Sequence, residues 1–432
     1  MTQSYLAPIL PGFLARHPKV DLILDSTDRE VNVIEEPGRA RLNILFFGSL
    51  TDADEKRLLE FLMSASLLEH FTSLEDHRIE RRKRHALADL VLLTICAVVS
   101  GTNGWEAIED FGHEKLDWLR QFAPFENGVP SHDCMANVIA RLSPKGFQAC
   151  LLSWTQSVAE ITDGDVIAVD GKTGRGSRDR RRGHQPLYRV SAWACANRLA
   201  LGQEATRETS NEITAIPKLL ELLELKGCLV TIDAMGCQTA IAAQIVAQGA
   251  DYVLGLKGNQ SAPQDAVEDD WTVAQQADFA HVQADFTEEL DKDHGRMEVR
   301  RDWIADDLRA LPNVARWAGL RSIGMVERTG VSNGQESLER RYFINSMAPE
   351  AARFAHAVRE HWSVENRLHW RLDVIFGDNA SRIRKGQAPA IMTSVRHLSM
   401  NLFDQEGSAI GLAKKRLKAA WNDDYRAKVV FG

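Results

Sequence analysis

The chain has 432 residues, 44% of them hydrophobic and 26% charged, with a formal net charge of −8 and a pI near 5.9. It is too long for one simple domain and ordinary in composition for a globular protein. The acidic balance excludes bulk charge as a nucleic-acid anchor, so any such contact has to come from local basic patches. The six cysteines (Cys96, Cys134, Cys150, Cys195, Cys228 and Cys237) include no CxxC pair, which disfavours a zinc ribbon or a disulfide framework and fits a reducing compartment. No secretory signal and no span-length apolar segment is present, so a cytoplasmic protein with no membrane partner is expected.

In chain order, residues 74–155 carry mostly helical patterns. LADLVLLTICAVVSG, from Leu87, is too short to span a bilayer and reads as a buried helix. NGWEAIEDFGHEKLDWLRQF follows as one or two amphipathic helices. In GVPSHDCMANVIARLSPKGF, Ser131 is a candidate N-cap and Pro144 a candidate stop. That short turn and helix fit either a helix-turn-helix reader or an ordinary helical hairpin. Two basic runs, HRIERRKRH with Arg81, Arg82 and Lys83, and RGSRDRRR with Arg180, fit either a solvated face or a phosphate-binding one.

The pattern changes near residue 165. DVIAVD is a short aliphatic strand ending in Asp170. YRVSAWACANRLALGQEAT reads as a hairpin turning near Asn197, and NEITAIPKLLELLEL as a helix. CLVTID is a second buried strand ending in Asp233. TAIAAQIVAQG is a helix and DYVLGLKG a third strand. This order indicates an α/β core with a mixed sheet. Residues 265–350 interrupt it with an acidic stretch and short strand-like pieces, among them HGRMEVRRDWIA and ERRYFINS. A long helix with HWSVENRLHWRLDV follows, and then a basic helical tail.

Three acids stand out. Asp170 and Asp233 end two separate buried strands, where α/β sheets place their functional crevice, although an acid there also suits a helix cap or a turn. Both precede glycine-containing turns, DGKTG and DAMGC, which let backbone come close to a ligand. Glu365 falls on or at the edge of an apolar helix stripe marked by Val358, Trp362, Leu368 and Leu372, where an unpaired carboxylate is costly. Three carboxylates from three elements suit a hard divalent cation, and two such ions can clamp an in-line phosphoryl displacement. A rival reading takes His361, Glu365 and His369, at i, i+4 and i+8, as a zinc or transition-metal face. A bland one pairs Glu365 with an arginine.

These motifs resemble the H-repeat-associated family of bacterial insertion-sequence DDE transposases. The matching stretches are LLEHFTSLEDHR, LADLVLLTICAVVSGTNGWEAIEDFG, DVIAVDGKT, SNEITAIPKLLELL, TIDAMGCQ, DYVLGLKGNQ, HGRMEVR and HWSVENRLHWRLDV, from about Leu67 to about Val430. The resemblance implies an RNase H-like catalytic domain over 161–404 with a β-rich insertion near 265–350, a helical, DNA-binding region over 63–160 and a basic tail over 405–432. It implies Asp170, Asp233 and Glu365 as the acid triad holding Mg²⁺ or Mn²⁺, with no organic cofactor. It also implies cleavage of transposon-end DNA followed by strand transfer into target DNA by an oligomer on the nucleoid. Related transposases place a Tyr, an Arg and a Lys around the Glu; here those positions hold Val358, His361 and Leu372. The candidate phosphate contacts are Arg81, Arg82, Lys83, Lys172, Arg180, Lys257, Arg296, His361 and Arg371. A catalytically inactive DNA-binding remnant and a metal nuclease that cuts without joining are the alternative functions.

Residues 6–37, LAPILPGFLARHPKVDLILDSTDREVNVIEEP, instead resemble the start of the effector domain of LysR-type regulators. A junction segment over 1–62, with Met63 as a natural start of the transposase part, is the expectation; about 30 residues of such a fragment cannot bury a core alone.

Overall fold

The computed structural model describes residues 20–25, 31–36, 39–45, 67–158, 164–174, 187–206, 212–293, 296–332 and 335–432. In the first of these, β1 (Val20–Asp25), β2 (Val31–Glu36) and β3 (Arg39–Leu45) form a small sheet in which β3 runs parallel to β1 and antiparallel to β2. The rest of the LysR-like segment, Arg180 and the RGSRDRRR run lie outside the described residues.

The helical region contains α1 (Leu87–Val99), α2 (Trp105–Glu114), the short α3 (Leu116–Leu119), α4 (His132–Ile139) and α5 (Pro144–Val158). The Ser131 hydroxyl caps α4 by accepting from the Cys134 N–H. Pro144 starts α5 rather than ending α4, as proline does where its missing N–H would be unpaired anyway.

The α/β part is built on a nine-stranded sheet. Its first five strands are β4 (Val166–Gly174), β5 (Leu187–Ala194), β6 (Leu199–Thr206), β7 (Leu229–Ile232) and β8 (Asp251–Leu256). They lie in the order β6-β5-β4-β7-β8, with the β4-β5-β6 meander antiparallel and β7 and β8 parallel to β4. This is the RNase H-like arrangement. Two helices, α6 (Glu212–Leu220) and α7 (Thr239–Ala247), make the crossovers.

The insertion is more regular than its charged sequence suggests. It opens with a 16-residue helix, α8 (Ser261–Gln276), which buries Val267, Trp271 and Ala274. Four long strands follow: β9 (Ala284–Asp293), β10 (Arg296–Ala305), β11 (Ser322–Ser332) and β12 (Gln335–Asn345). They extend the main sheet, because β12 pairs antiparallel with β8.

The sheet separates two cores. Ile167, Val169, Val230 and Ile232 point into one, shared with α6, α7 and α8. Val166, Ala168 and Leu229 point into the other, which joins the helical region to α9 (Ala351–Val364) and α10 (Ala388–Gln405). The helices of 67–158 therefore share a core with the nine-stranded sheet. Two last helices, α11 (Leu412–Trp421) and α12 (Asp423–Phe431), close the chain. Among the described residues no helix is long and apolar enough to cross a membrane.

Candidate functional site

Strand register brings the two aspartates together. The parallel pairing of β4 with β7 ends at Val169 opposite Ile232, so Asp170 and Asp233 are the next residue on each strand. Neighbouring strands lie about 4.8 Å apart, and registered residues point to the same face. By alternation that face is the one of Ala168 and Thr231, toward α9, which packs on β4 and β7. Asp170 is not at a strand end, since β4 continues to Gly174 against β5; it stands where the β7 partner stops. Asp233 also plays the capping part open to a strand-terminal acid: its Oδ1 accepts from the N–H of Met235 at 3.0 Å and of Gly236 at 3.4 Å. The Gly236 position serves packing and not a ligand, because a Cβ there would fall 2.3 Å from the Ile232 side chain and 2.6 Å from that of Ile216.

The helix supplies the third acid through an irregularity. Past Val364 the chain makes two wide, i→i+5 turns, Glu365–His369 and Arg371–Ile375. The Trp370 N–H bonds the Glu365 carbonyl, and the Phe376 N–H bonds that of Arg371 at 3.2 Å. The buried residues explain them. Val364, Leu368, Leu372 and Phe376 recur every fourth position, and on a 3.6-residue helix such a stripe drifts by about 40° per step. Widening the turns keeps all four against the core. It leaves Glu365 exposed rather than on the apolar stripe. Turns of this kind are frequent at functional sites.

Asp170 feels both its burial and the two other acids. Burial is the main cause that raises the Asp170 carboxyl to about 6, and the negative charges of Asp233 and Glu365 add to it. His369 Nε2 lies 3.4 Å from Asp170 Oδ2, but burial pushes this imidazole down to about 3, so it stands against Asp170 as a neutral ring. His361 is likewise neutral, pushed down to about 4 by burial against the opposing pull of Asp233, and its Nδ1 is 3.0 Å from the Thr231 hydroxyl. The two histidines thus serve different strands, and the face shared by His361, Glu365 and His369 in a regular helix does not form.

Among the described residues no group of three His, Cys, Asp or Glu side chains is closed enough to hold an ion as it stands. The donor chemistry nevertheless fits a hard divalent cation. Two aspartates side by side, with the Glu365 charge acting on Asp170, offer only oxygen donors; Mg²⁺ needs only one or two direct carboxylates and keeps several waters.

The predicted phosphate contacts divide. Lys257 is exposed directly after β8, and Arg81 is exposed in the HRIERRKRH run. Lys83 pairs with Glu80 at 2.7 Å. Arg371 makes a two-pronged pair with Asp404 at 2.8 and 2.6 Å, and Lys172 pairs with Asp373 at 2.6 Å. Both are committed to carboxylates inside the protein, which long-range folding arranges and local sequence does not reveal. The side chains of Arg82 and Arg296 are outside the described residues.

Sequence reading missed the support behind the site. Asp378 is buried between Arg189 of β5 and Arg396 of α10, with Arg396 Nη1 at 2.7 Å. Arg189 Nη1 also donates to the Thr393 hydroxyl at 2.6 Å. The two guanidinium groups hold the Asp378 carboxyl far below the usual carboxylate range despite its burial. On the other side, Trp362 of α9 lies under Arg341 of β12, 4.2 Å from its ring centre, and under Arg300 of β10 at 5.3 Å. The insertion thereby braces the helix that leads to Glu365.

A family model described as "Transposase DDE domain" matches residues 161–402, and a model for the region associated with that domain matches 68–155. The H repeat-associated protein YhhI of Escherichia coli K12 is 40% identical over 372 residues, 85% of this chain and 98% of that one. YncI of Escherichia coli O157:H7 is 39% identical over 370 residues, 84% of this chain and 94% of that one. A piggyBac transposase in a synaptic complex with hairpin DNA matches with a TM-score of 0.36 and 10% identity over 86% of this chain and 80% of that one, too distant to carry an argument.

Proposed function

This chain belongs to the DDE-domain transposases, and from that premise we propose that it cuts the ends of an insertion sequence and joins them to target DNA by metal-dependent phosphoryl transfer. The observation that carries the proposal is the register that sets Asp170 and Asp233 side by side, facing the helix that bears Glu365. These three residues would hold Mg²⁺ or Mn²⁺. When bound there, such an ion would supply activation of the attacking oxygen and charge relief at the leaving one.

The chain's own residues do the rest. Asp170 and Asp233 are fixed by β4 and β7 and present oxygen ligands from a rigid edge. Glu365 closes the site from the helix. Neutral His369 and His361 keep the floor of the site free of added positive charge beside Asp170 and Asp233. Of the candidate phosphate contacts whose side chains are described, the exposed Lys257, one residue beyond β8, and Arg81 are open to DNA phosphates, in an oligomer that pairs two ends.

The test is a cleavage and strand-transfer assay with Mg²⁺ on the element's own end DNA, using the full chain, a chain starting at Met63, and Glu365→Gln in each. Metal-dependent cutting and joining that the Gln change abolishes is the expected result. Cutting without joined product favours a nuclease, and DNA binding with no cutting in any version favours an inactive remnant.

A further inference from the structure

Lys172 follows Asp170 by two positions on β4, so both side chains leave the sheet on the face turned toward the Glu365 helix. Its side chain is only 12% exposed and is gripped twice. The ammonium donates to the His369 carbonyl at 2.8 Å and pairs with the Asp373 carboxylate at 2.6 Å. Those two partners sit in successive wide turns, His369 ending the first and Asp373 in the middle of the second. A wide turn alters the regular helical pattern, and Lys172 donates to a carbonyl at the end of the first such turn. The His369 ring, in turn, lies against Asp170 two residues back on the same strand. The strand therefore meets the helix at two successive points of one face: Asp170 lies against the His369 ring without a hydrogen bond to its Nε2, and Lys172 holds the His369 carbonyl and Asp373.

We propose that Lys172 is a positioning residue: its ammonium, clamped between the His369 carbonyl and Asp373, fixes the two wide turns and so sets where Glu365 stands relative to Asp170 and Asp233. It acts through the helix and does not touch DNA. The importance assigned to Glu365 rests on the transposase reading above, whereas the tether itself does not.

The experiment uses the full chain as Lys172→Met, Asp373→Asn, the double variant and Lys172→Arg. Hydrogen exchange over residues 365–376 is measured first, in protein free of metal and DNA. Lys172→Met should speed exchange there at least tenfold and leave β7 and β8 unchanged. Asp373→Asn should do much the same, the double variant should add little, and Lys172→Arg, which keeps the charge, should recover part of the protection. Unchanged protection at 365–376 in Lys172→Met overturns the proposal. If Lys172→Met does not fold, Asp373→Asn, whose carboxylate is 30% exposed, carries the same prediction.

The second readout is end-DNA affinity against salt. A positioning residue leaves the slope unchanged, while kcat for cleavage falls at a steady KM. A salt slope smaller by about one, as for a lost phosphate contact, overturns the proposal. Exchange needs no cutting, so a wild-type chain that never cleaves DNA would refute the transposase reading while the tether stands or falls on exchange alone.

Discussion

Two of the three acids stand on strands and the third on a distorted helix, and the two settings place a side chain by different physics. Asp170 and Asp233 are located by a hydrogen-bonded register between β4 and β7 that leaves no freedom of more than a fraction of a residue. Glu365 is located by whatever holds two wide turns in place: a four-residue apolar stripe, the Lys172 clamp, the Asp378 cluster and the arginines over Trp362. A strand pair delivers a fixed half-site. The helix delivers a half that several distant contacts must agree on, and it is the half through which the site could be tuned or lost.

Catalysis should not distinguish the two halves. Asp170→Asn, Asp233→Asn and Glu365→Gln should each lower cleavage by about a thousandfold or more, the several kcal/mol that a metal supplies, with end-DNA binding kept. A Glu365→Gln chain retaining a tenth of the wild-type rate in a single-turnover assay would break the symmetry and make the helix acid an accessory.

Stability should distinguish them sharply. Asp378→Asn leaves Arg189 and Arg396 buried without their shared counter-charge and should cost about 3–5 kcal/mol in urea unfolding. Asp170→Asn should do the opposite in metal-free protein. Its folded carboxyl titrates near 6 against an ordinary 3.8, so the wild type loses stability as pH rises through that window. The Asn form should therefore be more stable by roughly 2–3 kcal/mol at pH 8, and the gain should vanish below about pH 4. A flat difference across pH would show that burial and its neighbours' charge do not raise the Asp170 carboxyl.

Much of the strand half was legible in the sequence. DVIAVD and CLVTID are short continuous aliphatic runs, as buried strands carry, and each ends in an acid. The helix half was legible only as a residue. Its apolar positions at 364, 368, 372 and 376 already carry a spacing of four, which is the signal for wide turns, yet the neighbouring Trp362 lets the stretch pass for a regular helix. The α8 helix was hidden because Val267, Trp271 and Ala274 are few among acidic residues. The union of β12 with β8 and the partners of Lys172 and Arg371 depend on residues far along the chain, and no local pattern encodes them.

The smallest effect sharpens the same comparison at the DNA surface. Arg371→Ala should cost about 1–2 kcal/mol of stability through the loss of its partly buried pair with Asp404 and leave the salt slope of DNA binding unchanged. Lys257→Ala should reduce that slope by about one and leave unfolding unchanged.

The most direct test of a single three-acid centre is the binding of Mn²⁺, followed by its electron paramagnetic resonance, to the chain held on end DNA. The wild type should take up Mn²⁺, and Asp170→Asn, Asp233→Asn and Glu365→Gln should each weaken that uptake. Equal Mn²⁺ binding by all four proteins would contradict the account, because the ion would then be held somewhere other than between the strand pair and the helix.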